Sequence, residues 1–382
     1  MKNKAIIYIT FLSVLALNSY AQSRDVKKAD KQYDKFAYID ATKTYERIAN
    51  KGYKSADMFQ KIANAYYFNA ELDKAAKWYG ELFAMNTELQ PEYYYRYAQC
   101  LKAVGDYKKS DEMMSLFNKS ASEDLRGKIF KDKQNYMDEI KANSGRYNIE
   151  DAGINSQYSD YGSAFSGTKL VFTSSRDTGS FAQKKHKWTN QYFTNMYSSD
   201  PTPEGTLAAP EKFAKNINSK FHEATPVFTK DGNNMYFTRN NFNNGTKGKD
   251  ANKITLLKIY KATLIDGRWQ NATELPFNSD SYSVAHPMLS PDEKTLYFAS
   301  DMPGTKGQSD LWKVSISGDG SFGTPENLGA KINTEGRETF PLLTDENELY
   351  FATDGHPGLG GLDIFMARMN PDGSFQDPMN IG

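Results

Sequence analysis

The sequence predicts an α + β chain in two parts: a stack of paired helices, then an all-β part made of repeated four-stranded units. Two observations carry this. Small residues recur 34 or 35 positions apart between about residues 24 and 143, and beyond residue 144 a Leu-x-Phe segment, with Met235 for Leu in its second copy, stands four times with period-two alternation. The 382 residues are 39% hydrophobic and 14% aromatic, enough apolar surface to offset the entropy of ordering. With 47 basic and 47 acidic residues the net charge is +0, which argues against nucleic acid as the main partner, because phosphate binding needs a basic excess. Residues 24–143 carry +3 and residues 144–382 carry −5, so no strongly basic half is hidden in the balance. A single Cys leaves the fold without an intramolecular disulfide.

Met1–Ala21 has the three parts of a secretory signal. Lys2 and Lys4 make a positive start, Ala5–Leu17 is apolar except for Thr10 and Ser13, and Ser19 and Ala21 put small residues before Gln22. The apolar run is short for a membrane anchor. Gln22 is not the Cys of a lipoprotein signal. Cleavage after Ala21 and a periplasmic or outer-envelope destination are expected, with the mature chain soluble or peripherally held.

In the helical part, Ala41, Ala75 and Ser110 are each followed four residues on by a bulky side chain (Tyr45, Tyr79, Met114) and three further on by another (Ile48, Leu82, Phe117). Ala29, Ala63 and Ala98 stand twelve residues before them. Small residues let the two helices of a pair approach closely, and the bulky ones fill the space to the next pair. This spacing resembles the tetratricopeptide repeat. Ile62–Tyr66 opens the best copy and Tyr97–Leu101 the next, while the first copy has Gln32 where the others have Tyr66 and Leu101. By that pattern Asp30, Tyr33, Asn64, Tyr67, Tyr95, Gln99 and Lys102 face a concave groove, either as a solvated spacer or as a surface for a partner protein. Cys100 shares the repeat position of Ala65 and is expected to be a packed core thiol.

Near Asn143–Gly145 the composition turns to Gly, Asn, Ser, Thr, Phe and Tyr, which places a boundary there. The expected division is a signal at 1–21, helical repeats at 22–143 and the β part at 144–382. Leu170–Ser174, Met235–Arg239, Leu296–Ser300 and Leu349–Thr353 are the repeated central strands. The last three follow a strand and tight turn that begin at Pro226, Pro287 and Pro341. A third strand comes after each central one (Asn195–Tyr197, Lys258–Tyr260, Asp310–Trp312, Asp363–Phe365), and Asn327–Gly329 and Asn380–Gly382 open a fourth. Short antiparallel strands in repeating fours predict the blades of a propeller. Four blades are visible, and an incomplete ring from a longer parent is expected.

The pattern P-x-L-S/T-x-D…L-Y-F-A-S/T…D-I/L-F/W resembles the PD40 (TolB-type, WD40-like) blade. A signal, tetratricopeptide repeats and such a propeller in this order resemble the OmpA-family envelope proteins of bacteria with type IX secretion or gliding machinery, including the PorE-like group. The resemblance implies a scaffold at the periplasmic side of the outer membrane. It also implies peptidoglycan binding only through a C-terminal OmpA-like domain, whose residues are not among these 382.

No residue pattern calls for a cofactor or a metal. His186, His222, His286 and His356 lack metal-ligand spacing, and His286 and His356 precede Pro in what read as equivalent turns. No G-x-S-x-G elbow occurs. Gly358–Gly361 precedes a strand and so lacks the helix N-terminus of a phosphate loop. Asp310 and Asp363 hold one blade position and are expected to bond backbone amides. Two inserts, Ser175–Tyr192 and Asn240–Lys253, lengthen the same connection, and the first brings Lys184, Lys185 and Trp188 together as a contact surface. The reading is a non-enzymatic envelope scaffold whose partner-binding residues are Tyr33, Asn64, Tyr67, Tyr95, Gln99, Lys102, Lys184, Lys185 and Trp188. The alternatives are a periplasmic peptide- or glycan-binding propeller and a secreted hydrolase with a site in the propeller channel.

Overall fold

The computed structural model describes residues 24–176, 184–243 and 245–382. The signal expected at Met1–Ala21 lies outside the described residues. The chain divides into two compact units. The first runs to Ala121 and includes His186–Asn190 and Leu359–Gly361; the second holds Ser122–Lys185, Gln191–Gly358 and Leu362–Gly382.

In the first unit the helices are α1 (24–33), α2 (Tyr38–Ala49), α3 (Ala56–Phe68), α4 (Leu72–Phe83), α5 (Pro91–Ala103) and α6 (Tyr107–Ser120). Local chemistry sets their ends. The Ser55 side chain caps α3 through the Met58 amide at 3.2 Å, Pro91 starts α5 with φ already helical, and Gly105 (φ +82°) ends it. Helix α3 packs on α4, α4 on α5 and α5 on α6. The small residues that define the repeat, Ala29, Ala41, Ala63, Ala75, Ala98 and Ser110, are all fully buried. At the one station where Ser replaces Ala, the Ser110 hydroxyl donates to the Ala98 carbonyl at 3.0 Å, so a polar atom is buried without being orphaned. Tyr45, Ile48, Tyr79 and Leu82 fill the core between pairs. Cys100 is buried in that core, and desolvation pushes its thiol far above the ordinary value, which makes it inert. Ala63→Trp forces an indole into a contact with no free volume. It is expected to cost about 1–3 kcal/mol or more, read as a lower melting temperature in the helical far-ultraviolet signal.

The second unit begins with α7 (Leu125–Asp132) and α8 (Tyr136–Asn143). The composition shift near 143 is therefore not where the compact units part. Asn143 Nδ2 donates to the Asn380 carbonyl at 2.8 Å and the Leu125 amide to Glu335 Oε2 at 2.9 Å, which ties both helices to the strands. Four antiparallel sheets follow. Blade 1 is β1 (Asp160–Ser166), β2 (Lys169–Ser174), β3 (Asn195–Ser199) and β4 (Glu211–Lys212). Blade 2 is β5 (Glu223–Phe228), β6 (Asn234–Asn240), β9 (Leu257–Ile265) and β10 (Arg268–Glu274), with the small hairpin β7 (Phe242–Asn243) and β8 (Thr246–Lys247) in its insert. Blade 3 is β11 (Val284–Leu289), β12 (Thr295–Ser300), β13 (Asp310–Ser315) and β14 (Glu326–Asn327). Blade 4 is β15 (Glu338–Leu343), β16 (Glu348–Thr353), β17 (Asp363–Arg368) and β18 (Met379–Asn380). The innermost strands β1, β5, β11 and β15 are neighbours in series, as in a propeller.

One seam joins the blades three times. The Leu-x-Phe face of each blade packs on the opposite face of the blade before it. Met235, Phe237 and Tyr260 of blade 2 meet Val171 and Met196 of blade 1. Leu289, Leu296 and Phe298 of blade 3 meet Tyr236 and Ile259 of blade 2. Leu349, Phe351 and Phe365 of blade 4 meet Tyr297, Ala299 and Leu311 of blade 3. Each innermost strand also carries a bulge whose residue is left-handed: Gly162 (φ 60°), Thr225 (φ 46°), His286 (φ 56°) and Phe340 (φ 52°). Three of these are not glycine, a backbone cost met by tight local bonding. The Thr225 amide donates to Thr173 Oγ1 and the His286 amide to Thr238 Oγ1, both at 2.8 Å. His286 thus belongs to the inner-strand bulge, whereas His356 follows β16, so the two do not share a turn as their common Pro suggested. Among the described residues no helix is long and apolar enough to cross a membrane.

Candidate functional site

Three places in the molecule bring chemistry-bearing side chains together. The first is a polar layer at one end of the central strands, where cross-strand partners line up blade by blade: Asp160–Ser174–Asn195, Glu223–Arg239–Lys258 and Glu338–Thr353–Asp363. Glu223 and Arg239 are both buried and lie 3.2 Å apart, with the guanidinium over the rings of Phe237 and Tyr260. Burial pushes the Glu223 carboxyl up to about 7, while Ser219 and Arg239 pull the other way. Among the described residues no cation pairs with Glu338 to offset its burial. It accepts from Thr334 Oγ1 (2.7 Å), Thr353 Oγ1 (2.8 Å) and the Thr334 amide (3.0 Å), yet desolvation raises it to about 8. Blade 3 has Val284 at the carboxyl station, and its Asp310 works on the backbone as expected from sequence. It accepts from the Lys306 amide at 2.9 Å and the Gly307 amide at 3.2 Å, and from Asn327 Nδ2 at 2.7 Å.

Glu338 makes stability pH-dependent. Its folded pKa is above the unfolded one, so the native state holds a proton that the unfolded chain has released between about pH 4.5 and 8. Stability from this group is full below the unfolded value and falls as pH rises to the folded one, at a slope of at most about 1.4 kcal/mol per unit. The expected result is that Glu338→Gln flattens the loss of stability between pH 5 and 8, read by denaturant melts at several pH values.

The second place is a cleft of about 680 Å³ on blade 2, between the loop 216–219 and the outer strand β10. Five of the twelve described residues that line it are carboxamides, Asn216, Asn218, Asn243, Gln270 and Asn271, and they stand beside Phe242 and the ion-paired Arg239. The bulge in β10 puts Asn271 in the left-handed region and re-aims the strand into the cleft. The side chain of Asn216 donates to the Trp269 carbonyl, which pins the loop across β10. Such a lining offers paired donors and acceptors to a polar, uncharged ligand. Sequence alone does not announce it, because β10 lacks the Asn-Leu/Ile-Gly mark of the outer strands of blades 3 and 4.

The third place is the set of expected partner-binding residues. Asn64, Tyr67, Tyr95, Gln99 and Lys102 are buried, so they do not form an open groove. Segments within the first unit lie against them. The Gly361 amide donates to Gln99 Oε1 at 3.2 Å, and a Cβ on Gly360 would stand 2.6 Å from the Gln99 carbonyl oxygen. Asn64 is spent internally, accepting from Tyr79 OH at 2.8 Å and Arg96 Nη1 at 3.0 Å. Trp188 is likewise turned inward in the first unit. It stacks on Phe36 at 5.7 Å, meets Tyr38 edge-on at 4.9 Å, and donates to the Phe68 carbonyl at 3.4 Å. Lys184 and Lys185 are exposed and Tyr33 is half-buried.

His286 and His356 are held neutral by burial, each lowered to about 4, with His356 Nε2 3.0 Å from the Ile332 carbonyl. His222 Nδ1 faces Thr194 at 3.0 Å. Among the described residues no group of three or more His, Cys, Asp or Glu converges as a metal site.

No protein-family model and no curated protein matches the chain. Among solved structures it is similar to TolB from Acinetobacter baumannii, at 16% identity over 59% of this chain and 45% of that one, TM-score 0.35. It is similar to a Mycobacterium tuberculosis puromycin-hydrolysing peptidase at 16% identity over 58% of this chain and 30% of that one, TM-score 0.35. A prolyl endopeptidase matches at 16% identity over 58% and 29% of the two chains, TM-score 0.33. This chain spans less than half the length of each. Peptidases stand beside TolB among these similarities, which corrects the expectation that the chain is not an enzyme. No residue role is carried over from them.

Proposed function

We propose that the chain is an exported cell-envelope docking protein whose tetratricopeptide-type helical unit and PD40-type propeller each present contact surfaces to partner proteins. Its place is the periplasmic side of the outer membrane, in the setting of type IX secretion or surface-protein anchoring, as in the OmpA-family (PorE-like) proteins that the sequence resembles. One observation carries the reading. The residues on which the resemblance rests are spent on holding the blades, with Asp310 on backbone amides and the Leu-x-Phe strands in the seams, which leaves the loops to make contacts. Lys184 and Lys185 are the exposed contact residues on the first insert. The secretory pattern of Met1–Ala21 supports export. The test is fractionation of the native host with N-terminal sequencing: the envelope fraction is expected to yield a chain that starts Gln22-Ser23-Arg24-Asp25. Intact Met1 in a cytosolic fraction contradicts the reading.

A second reading, a peptide- or glycan-binding propeller, rests on the amide-lined cleft of blade 2. Titration with a neutral oligosaccharide and with an uncharged peptide, for the chain and for Gln270→Ala with Asn271→Ala, decides it. Saturable binding that the double variant loses supports this reading, and absence of binding removes it.

A further inference from the structure

We infer that blade 4 of one copy of this chain receives blade 1 of a second copy, face to face, through the seam that already joins consecutive blades within the chain. The three internal seams follow one rule, in which the Leu-x-Phe face of a blade covers the opposite face of its predecessor. Among the described residues two faces have no blade packed on them, and they are the two halves of that seam, although Tyr161 of β1 meets Phe340 of β15 at 6.0 Å along the inner edge.

The first is the outward face of blade 4. Leu342, Tyr350 and Met366 pair across β15, β16 and β17, and Ala352 pairs with Ile364, so these side chains share one side of the sheet. The same stations in blade 3 are Tyr297, Ala299 and Leu311, which lie at 4%, 4% and 0% exposure beneath blade 4. In blade 4 Leu342 is 47% exposed and Ile364 52%, while Met366 is buried and the Tyr350 hydroxyl lies 3.1 Å from that of Tyr147. The second face is the Leu-x-Phe face of blade 1, with Phe165, Leu170, Phe172 and Tyr197. Phe165 holds the station of Leu289 and Leu343, which the preceding blades cover to 4% and 3% exposure, and it stands 69% exposed. Ile154 and Leu207 shelter Phe172 and Tyr197 but leave Phe165 open.

Exposed leucine, isoleucine and phenylalanine clustered on a sheet face drive association rather than solvation. Face-to-face sheet packing needs interdigitating apolar rows about 10 Å apart, and the internal seams show that rows at the equivalent stations of other blades fit in this way. Strand-edge pairing is the competing route to association and would not involve these side chains. The seam joins unlike faces, so the contact between copies is heterologous and runs head to tail.

The test is sedimentation of the full chain and of two variants over a wide concentration range. Leu342→Lys with Ile364→Lys blocks the blade 4 face, and Phe165→Lys blocks the blade 1 face. All three positions are solvent-exposed, so both variants are expected to keep the parent's circular dichroism and melting temperature. The parent mass is expected to rise with concentration. Each variant alone is expected to associate at least about tenfold more weakly, since a lysine must be desolvated in an apolar seam. A mixture of the two variants should form 1:1 dimers, because each retains the face that the other lacks. A monomeric parent overturns the inference. So does association that survives Phe165→Lys, which would mean pairing of two blade 4 faces or of strand edges.

Discussion

Arg239→Met is expected to lower the stability of the strand unit by about 3–5 kcal/mol, the usual cost of removing one partner of a buried ion pair. Arg239 is nearly sealed from solvent and stands 3.2 Å from the fully buried Glu223, on the rings of Phe237 and Tyr260. The thioether keeps much of the packing but leaves a carboxyl without its cation. The deficit therefore depends on pH. Glu223 already has a folded pKa above the unfolded value, so it tolerates the loss when protonated and resists it when ionised. Chemical denaturation should show a smaller deficit at pH 5 than at pH 8. Adding Glu223→Leu should restore most of the loss, because an apolar pair of similar shape removes both desolvation costs.

Phe298→Ala is the other large effect, at about 3–5 kcal/mol for an aromatic cavity in a core that does not collapse. Phe298 is fully buried in the seam between blades 2 and 3, with its ring stacked on Phe277 at 5.0 Å. The same truncation at Phe172 is a control within the molecule. Phe172 holds the equivalent station in blade 1, where a loop and the Arg176 guanidinium replace a whole preceding blade. About half the loss is expected there. Equal losses at the two positions, read as denaturation midpoints, would show that the seam is not what stabilises the blades.

Much of this architecture is legible in the residues, for a physical reason. A strand buried on both faces reads as a continuous apolar run whose successive side chains serve opposite faces, so Leu296-Tyr297-Phe298 and its equivalents announce central strands. The helix pairs are legible because only Ala or Ser fits at the close contacts, as Ala63 and Ser110 show. Strand β1 was not read because its bulge uses Gly162-Ser163 in place of the residue-Pro pair of the other three blades. Strand β10 was missed because its face is polar and amide-rich. The burial of Gln99 and Lys102 and the seating of Trp188 on Phe36 were illegible for a different reason. These contacts join segments far apart in the chain, residue 361 lying on Gln99 and residue 188 on Phe36. The raised carboxyls of Glu223 and Glu338 belong to the same class, since only tertiary packing removes their water.

Docking of partner proteins through the exposed loops is the function proposed for this chain. It is tested most directly by a photo-cross-linking residue placed at Lys184 or Lys185 in the native host, with the same residue at the exposed turn position Lys230 as the reference. The account predicts a discrete adduct of one partner protein from positions 184 and 185 and none from 230, recovered with the envelope fraction. No adduct at 184 or 185, or the same adducts at all three positions, would contradict it.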